Sequence, residues 1–239
     1  PEVGLFEEFA SDLQAKELEE EGFEITKGVG DMPTAFMAEY GSGEPIIGIL
    51  GEFDALPGLS QKVKGEKEPV EKGEPGHGCG HNLLGTAGVA AAISIKQAID
   101  SGEVSGTIRY YGCPAEETLA GKEFMAKDGV FDDLDVCLTW HPQHLNAPWM
   151  TSFNALNSIR FTFSGVSAHA AASPEQGRSA LDAVELMDVG ANYLREHIPD
   201  KARLHYSIPN GGGEPNIVPE EAVVWYYVRA PERDQVESI

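Results

Sequence analysis

The run Gly76-His77-Gly78-Cys79-Gly80-His81-Asn82 constrains this chain more than any other stretch. Its glycines let the backbone bend sharply, so a thiol and two imidazoles close in sequence can converge on one point. Residues 83–99, which follow, are apolar and alanine-rich, and predict a largely buried helix. Thiolate and imidazole are the usual ligands of zinc and related transition metals. A metal site opening a buried helix points to an enzyme. The alternative is a plain glycine loop with Asn82 as a helix N-cap and His77 on the surface.

The flanking pattern fixes the fold class. Leu5, Phe9 and Leu13 recur at helical spacing opposite glutamates, which predicts a helix over residues 2–21 ended by Gly22. Strand-like runs follow at 24–29, 34–40 and 46–53, the last reading as buried. A charged, Gly- and Pro-containing stretch at 61–75 reads as a solvated loop. After the buried helix come a strand at 107–112, a short helix at 119–127 and a strand at 135–140. Strand, helix, strand, helix, strand predicts a layered α/β domain with mostly parallel pairing. Cys113 and Cys137 lie in apolar runs and are expected to be inert core thiols.

The pattern restarts near Asn154. A strand at 158–164 alternates Ile159, Phe161 and Phe163. A long helix follows with a stripe of Leu181, Val184, Met187, Ala191 and Leu194. Strands at 203–208 and 222–229 come next, and another helix begins near Pro231. This second unit reads β-α-β-β-α, one strand short of a four-stranded α/β sandwich. The expected division is residues 1–154 and 155–239.

Composition narrows the partners. A net charge of −22 argues against nucleic acid and anionic membrane. No apolar stretch is long enough to span a bilayer, and no signal-peptide pattern opens the chain. Three scattered cysteines suggest a reducing compartment, hence the cytoplasm.

Polar residues cluster where the strands end. Glu116-Glu117 follows one strand and His141 the next, and the carboxyl ends of strands form the ligand crevice of open α/β sheets. Adjacent carboxylates point in different directions, so one can bind metal while the other faces an attacking water. A hydrolytic centre needs that division: the metal acidifies water and polarises a carbonyl, and a separate carboxylate moves the proton. Taken alone, Glu116-Glu117 also suits a helix N-terminus and His141 a capped strand end. Falling together at one sheet edge favours the site.

Four motifs then appear in order: residues 51–59 (Gly-Glu-Phe-Asp-Ala-Leu-Pro-Gly-Leu), the turn at 77–82, Pro114-Ala115-Glu116-Glu117, and Gly165-Val166-Ser167-Ala168-His169-Ala170. They resemble the M20 family of metal-dependent amidohydrolases and peptidases. The likeness falls in the branch of indole-acetyl-amino-acid, N-acyl-amino-acid and aminobenzoyl-glutamate hydrolases. The resemblance implies two divalent ions, zinc or manganese, with Cys79, His81, Glu117 and His141 as ligands and Glu116 as general base. It implies that residues 1–154 form the metal-dependent catalytic domain and 155–239 a lid and dimerisation domain. His169 would reach a partner's site and stabilise the oxyanion, while Asn216 and Arg229 would grip a substrate carboxylate. An arginine fork suits that task, though Arg229 also reads as a surface strand-end charge.

Three departures qualify the likeness. Asn82 stands where most of the branch has Asp, which fits the aminobenzoyl-glutamate-like subgroup. No His precedes Asp54 in its motif, so Asp54 is not counted as a ligand. The last family ligand and the remaining lid strand are expected beyond Ile239. The expected function is hydrolysis of an amide between an acyl or aroyl group and an amino acid, on a small substrate carrying a carboxylate. The expected assembly is a homodimer or a heterodimer with a sister subunit. The alternatives are a dipeptidase of the same family and a non-catalytic scaffold subunit that keeps the fold. A thiol-dependent hydrolase fits poorly, because Cys79 is flanked by ligands rather than paired with one base.

Overall fold

The computed structural model describes residues 1–148 and 152–239. They form two compact units, Pro1–Asn146 and Ala147–Ile239.

The first unit is a layered α/β fold. Its elements run α1 (Glu8–Glu20), β1 (Glu24–Lys27), β2 (Phe36–Ser42), β3 (Ile46–Glu52), α2 (His81–Asp100), β4 (Gly106–Cys113), α3 (Glu116–Leu119), α4 (Gly121–Lys127) and β5 (Val136–Leu138). The sheet order is β1-β2-β4-β3-β5. The strands that carry the site, β4, β3 and β5, pair in parallel, and β2 and β1 extend the sheet antiparallel. The chain leaves β3 for β4 on one side, then returns to lay β5 on the other. A reversal of this kind opens a crevice at the carboxyl ends of the strands.

The core explains why the sheet holds. Leu18 of α1, Phe36 of β2, and Ile108 and Tyr110 of β4 are fully buried between sheet and helices. Burial of each large apolar side chain is worth roughly 1.5–3 kcal/mol. The helix α1 is present, but it does not bury the expected stripe. Ser11, Ala15 and Leu18 face the sheet, while Phe9 and Leu13 are exposed. Small Ser11 lets the helix approach closely enough for its hydroxyl to donate to the Thr34 carbonyl at 2.8 Å. The cysteines also part company. Cys113 is buried as expected, whereas Cys137 is exposed. The reason is its position on β5, which among the described residues pairs only with β3.

The second unit runs β6 (Ala155–Ser164), α5 (Ala180–Leu194), β7 (Arg203–Asn210), β8 (Glu221–Ala230) and α6 (Arg233–Glu237). Its sheet, ordered β6-β8-β7, is antiparallel throughout. Val184 is fully buried on α5, with Leu181, Met187 and Ala191 packed partly against the same core. The Ser179 hydroxyl caps α5 by accepting from the Asp182 N–H at 3.1 Å. Among the described residues, no helix is long and apolar enough to cross a membrane.

Candidate metal centre

The glycine turn places its donors as its composition requires. Gly80 is the N-cap of α2 with φ +81. A Cβ there would stand 2.9 Å from Cγ of Pro142, in the loop after β5. Glycine therefore permits both the left-handed backbone and the close approach of the His141 loop. Asn82 lies within the first turn of α2 and is not its cap. Cys79, His81 and His141 each offer a donor atom within 4.8 Å of the others'. The two imidazole rings meet edge to face, with centroids 5.7 Å apart.

His81 is fully buried, and acids hold both its nitrogens. Nδ1 lies 2.8 Å from Oδ1 of Asp54, and Nε2 lies 2.9 Å from Oε2 of Glu52. Only the first contact has hydrogen-bonding geometry; Nε2 and Glu52 Oε2 are buried without a hydrogen bond among the described residues. Burial alone would push the imidazole pKa down, but Asp54 and Glu52 reverse this and lift it to about 10. Glu52 is ion-paired with Lys122 of α4. Burial disfavours its charge, yet His81 and Lys122 outweigh that and hold it at about 2.

The acid pair sits in a strained turn. Ala115 has φ +56 and precedes α3, whose first residues are Glu116 and Glu117. The two carboxylates have different neighbours. Glu116 Oε2 is 3.9 Å from His81 Nε2 and groups with Glu52 and His81 as a second set of close donors. Burial, then the charge of Glu52, raises the Glu116 pKa. The Glu117 carboxylate neighbours the Cys79 thiol, and burial first, then this carboxylate, push the thiol pKa up to about 11. The Glu117 backbone N–H donates to Asp54 Oδ2 at 2.9 Å, and its Oε1 is buried without a hydrogen bond among the described residues.

In the second unit, His169 Nδ1 accepts from the backbone N–H groups of Ala171 and Ala172 at 3.2 Å each. Asn216 lends its carbonyl to the Ala170 N–H at 2.9 Å, so both belong to one loop cluster of that unit. Arg229 is exposed on β8, its guanidinium 5.4 Å from the Tyr227 ring centroid.

Glu52 and Lys122 are neighbours of the site that sequence reasoning misses, and Asp54, not counted as a ligand from its motif, stands behind His81 and Glu117. A signal is available: Glu52 and Asp54 flank the buried Phe53 at a strand end, and alternate residues of a strand face the same way. Two acids aimed at one side of a buried edge require partners.

The residues present fit a divalent ion. The cluster mixes sulfur, nitrogen and oxygen donors suited to zinc or a related transition metal. Glu117 Oε1 is buried without a hydrogen bond among the described residues, and His81 Nε2 faces the Glu52 and Glu116 carboxylates without hydrogen-bonding geometry. Asp54 on Nδ1 sets the ring so that Nε2 faces the donors, as the carboxylate behind a ligating histidine does.

Comparison with known proteins gives the family. The sequence profile of Peptidase family M20/M25/M40 matches residues 48–226. The chain is 52% identical to one of the p-aminobenzoyl-glutamate hydrolase subunits of Escherichia coli (strain K12), over 100% of this chain and 50% of that protein. It is 35% identical to the Xaa-Arg dipeptidase of Mus musculus, over 87% of this chain and 46% of that protein. The chain thus spans about half the length of the curated relatives it matches. Its fold is similar to that of the Bacillus subtilis YXEP protein, a dinuclear metal binding peptidase from the M20 family. The TM-score is 0.65 at 22% identity, covering 100% of this chain and 62% of that one. With the family profile spanning most of its length, the chain belongs to peptidase family M20/M25/M40.

Proposed function

We propose that the full-length protein is a metal-dependent amidohydrolase that cleaves the amide between an acyl or aroyl group and an amino acid, with p-aminobenzoyl-glutamate as the foremost substrate. The observation that carries this reading is the gathering of Cys79, His81 and His141 within 4.8 Å, with Glu116 near His81 and Glu117 neighbouring Cys79. The name of the 52% identical E. coli relative supports the aroyl-glutamate substrate. That hydrolase has two differently named subunits in E. coli, the other being 28% identical to this chain, which supports a sister subunit as partner. A homodimer is the other arrangement. The ions would be two in number, zinc or manganese, held by Cys79, His81, Glu117 and His141; the thiolate and imidazole donors favour zinc, the carboxylate also suits manganese. Three unpaired cysteines support a cytoplasmic setting.

Such ions supply Lewis acidity, which acidifies water and polarises the scissile carbonyl. The chain's own residues do the rest. Glu116, with its pKa raised, takes a proton from the attacking water and delivers it to the leaving amine nitrogen. Asp54 keeps His81 oriented through Nδ1. Asn216 and Arg229 bind the substrate carboxylate, Arg229 through its two-pronged guanidinium. His169 donates to the developing oxyanion from a partner subunit's second domain, which serves as lid and dimerisation domain.

The test is a substrate panel on the full-length protein: p-aminobenzoyl-glutamate, N-acyl amino acids and dipeptides, with and without chelator. The reading predicts the highest kcat/KM on the aroyl-glutamate and loss of turnover on chelation. Preference for dipeptides would move the protein to the dipeptidases of the family. No turnover on any substrate would favour the scaffold.

A further inference from the structure

The segment before α1 is tied to both loops that carry the site's acids. The Glu2 carbonyl accepts the Ala55 N–H at 2.7 Å, and Val3 bridges Ala55, the residue after Asp54. Gly4 packs where a Cβ would stand 2.7 Å from Thr118 Oγ1 and 3.0 Å from Ala115 Cα. Glu7 ends the segment, and its side chain is completely buried. Its Oε1 accepts the Ala115 N–H at 2.7 Å, and its Oε2 accepts the Thr34 hydroxyl at 3.2 Å.

We propose that Glu7 is a positioning residue for Glu116 and Glu117, and that residues 2–7 form a clasp holding the Asp54 loop and the Ala115 turn in register. The inference rests on the reading of Glu116 as base and Glu117 as ligand. Its chemistry is direct. Ala115 is a non-glycine residue at φ +56, a conformation that persists only when its surroundings hold it. The bond that holds its N–H comes from a side chain 108 residues away. A buried N–H left without that acceptor would seek another, and the turn that aims both carboxylates would relax. Burial raises the Glu7 pKa, and backbone N–H groups, that of Ala115 among them, only partly offset this. Both Glu7 carboxylate oxygens are taken up by Ala115 and Thr34, so Glu7 acts through Ala115.

The experiment uses the full-length protein with Glu7→Ala, Glu7→Gln and Gly4→Ala. Hydrogen exchange on the metal-free proteins should quicken about tenfold or more at residues 115–118 in Glu7→Ala, because the local opening loses its restraint. Zinc affinity and kcat on p-aminobenzoyl-glutamate should then fall about 10–100-fold, the usual cost of losing an outer partner of a metal site, with KM nearly unchanged. Glu7→Gln keeps an oxygen for Ala115, and the Thr34 hydroxyl can turn to accept from its amide. It should retain wild-type exchange and affinity within about threefold. Gly4→Ala pushes the clasp from the turn with Glu7 intact and should resemble Glu7→Ala; it decides the matter if Glu7→Ala does not fold. Unchanged exchange at 115–118 would overturn the clasp, and so would faster exchange with wild-type zinc affinity. A wild-type protein that binds no zinc would instead sink the functional reading, leaving the exchange measurement to judge the clasp by itself.

Discussion

Asp54 Oδ1 lies 2.8 Å from Nδ1 of His81, both side chains fully buried. The same carboxylate takes the Glu117 N–H through Oδ2 at 2.9 Å. One acid thus fixes the ring of one proposed ligand and the backbone of another.

That double duty makes Asp54→Asn costly. The amide can face only one of its two partners with an oxygen, and its NH2 would oppose the other N–H. Metal affinity of the full-length protein should fall about 10–100-fold, with the folded structure kept. Competition against a chromophoric chelator measures it. Affinity equal to wild type would mean that Asp54 does not set the donors.

The neighbouring acids should separate cleanly. Glu116→Gln removes the proposed base and should lower kcat by about 10²–10⁴-fold with near-normal metal content. Glu117→Gln replaces a proposed ligand and should lower metal content itself. Metal analysis beside steady-state kinetics distinguishes them. Loss of metal in Glu116→Gln would exchange the two assignments.

Protonation gives the site a defined pH response. Without metal, Asp54 and Glu52 lift the His81 pKa to about 10, and burial with Glu117 lifts the Cys79 thiol to about 11, so both are expected to carry protons at pH 7. An ion that binds Nε2 and the thiolate must release them. Affinity should therefore rise with pH, about tenfold per unit for each proton released. Calorimetry in buffers of different ionisation enthalpy counts those protons, and a pH-independent affinity would contradict the assignment.

Stability of the metal-free protein should follow the same pair. Glu52 is lowered from 4.5 to about 2, so its contribution is complete above 4.5 and is lost as pH falls through 2. His81 is raised from 6.5 to about 10, so its contribution is complete below 6.5 and is lost as pH rises through 10. Thermal melts should peak between those windows, and Glu52→Gln should flatten the acid limb. An acid limb unchanged in Glu52→Gln would place the sensitivity elsewhere.

Local signals make much of this legible. The glycine turn, the apolar run after it and the acids after β4 each show in a few consecutive residues, and Cys79, His81 and His141 do meet. Contacts between distant segments do not show. Nothing in the acidic run around Glu7 marks it as buried, because its partner Ala115 is set by the fold. The face of α1 misleads for a related reason: Phe9 and Leu13 outweigh Ser11 and Ala15 in hydropathy, but only small side chains allow the close approach to Thr34. Asp54 is not counted as a ligand from its motif, and its hydrogen bonds to His81 and Glu117 show a supporting position that a motif alone does not reveal.

The most direct test of the central claim is metal stoichiometry of the full-length protein by elemental mass spectrometry, for wild type and Cys79→Ser. The account predicts about two divalent ions per chain in the wild type, from the S, N and O donor set, and a clear loss in Cys79→Ser together with chelator-sensitive amide hydrolysis. A wild-type protein that holds no ion while hydrolysing its amide substrate unimpeded by chelator would contradict it.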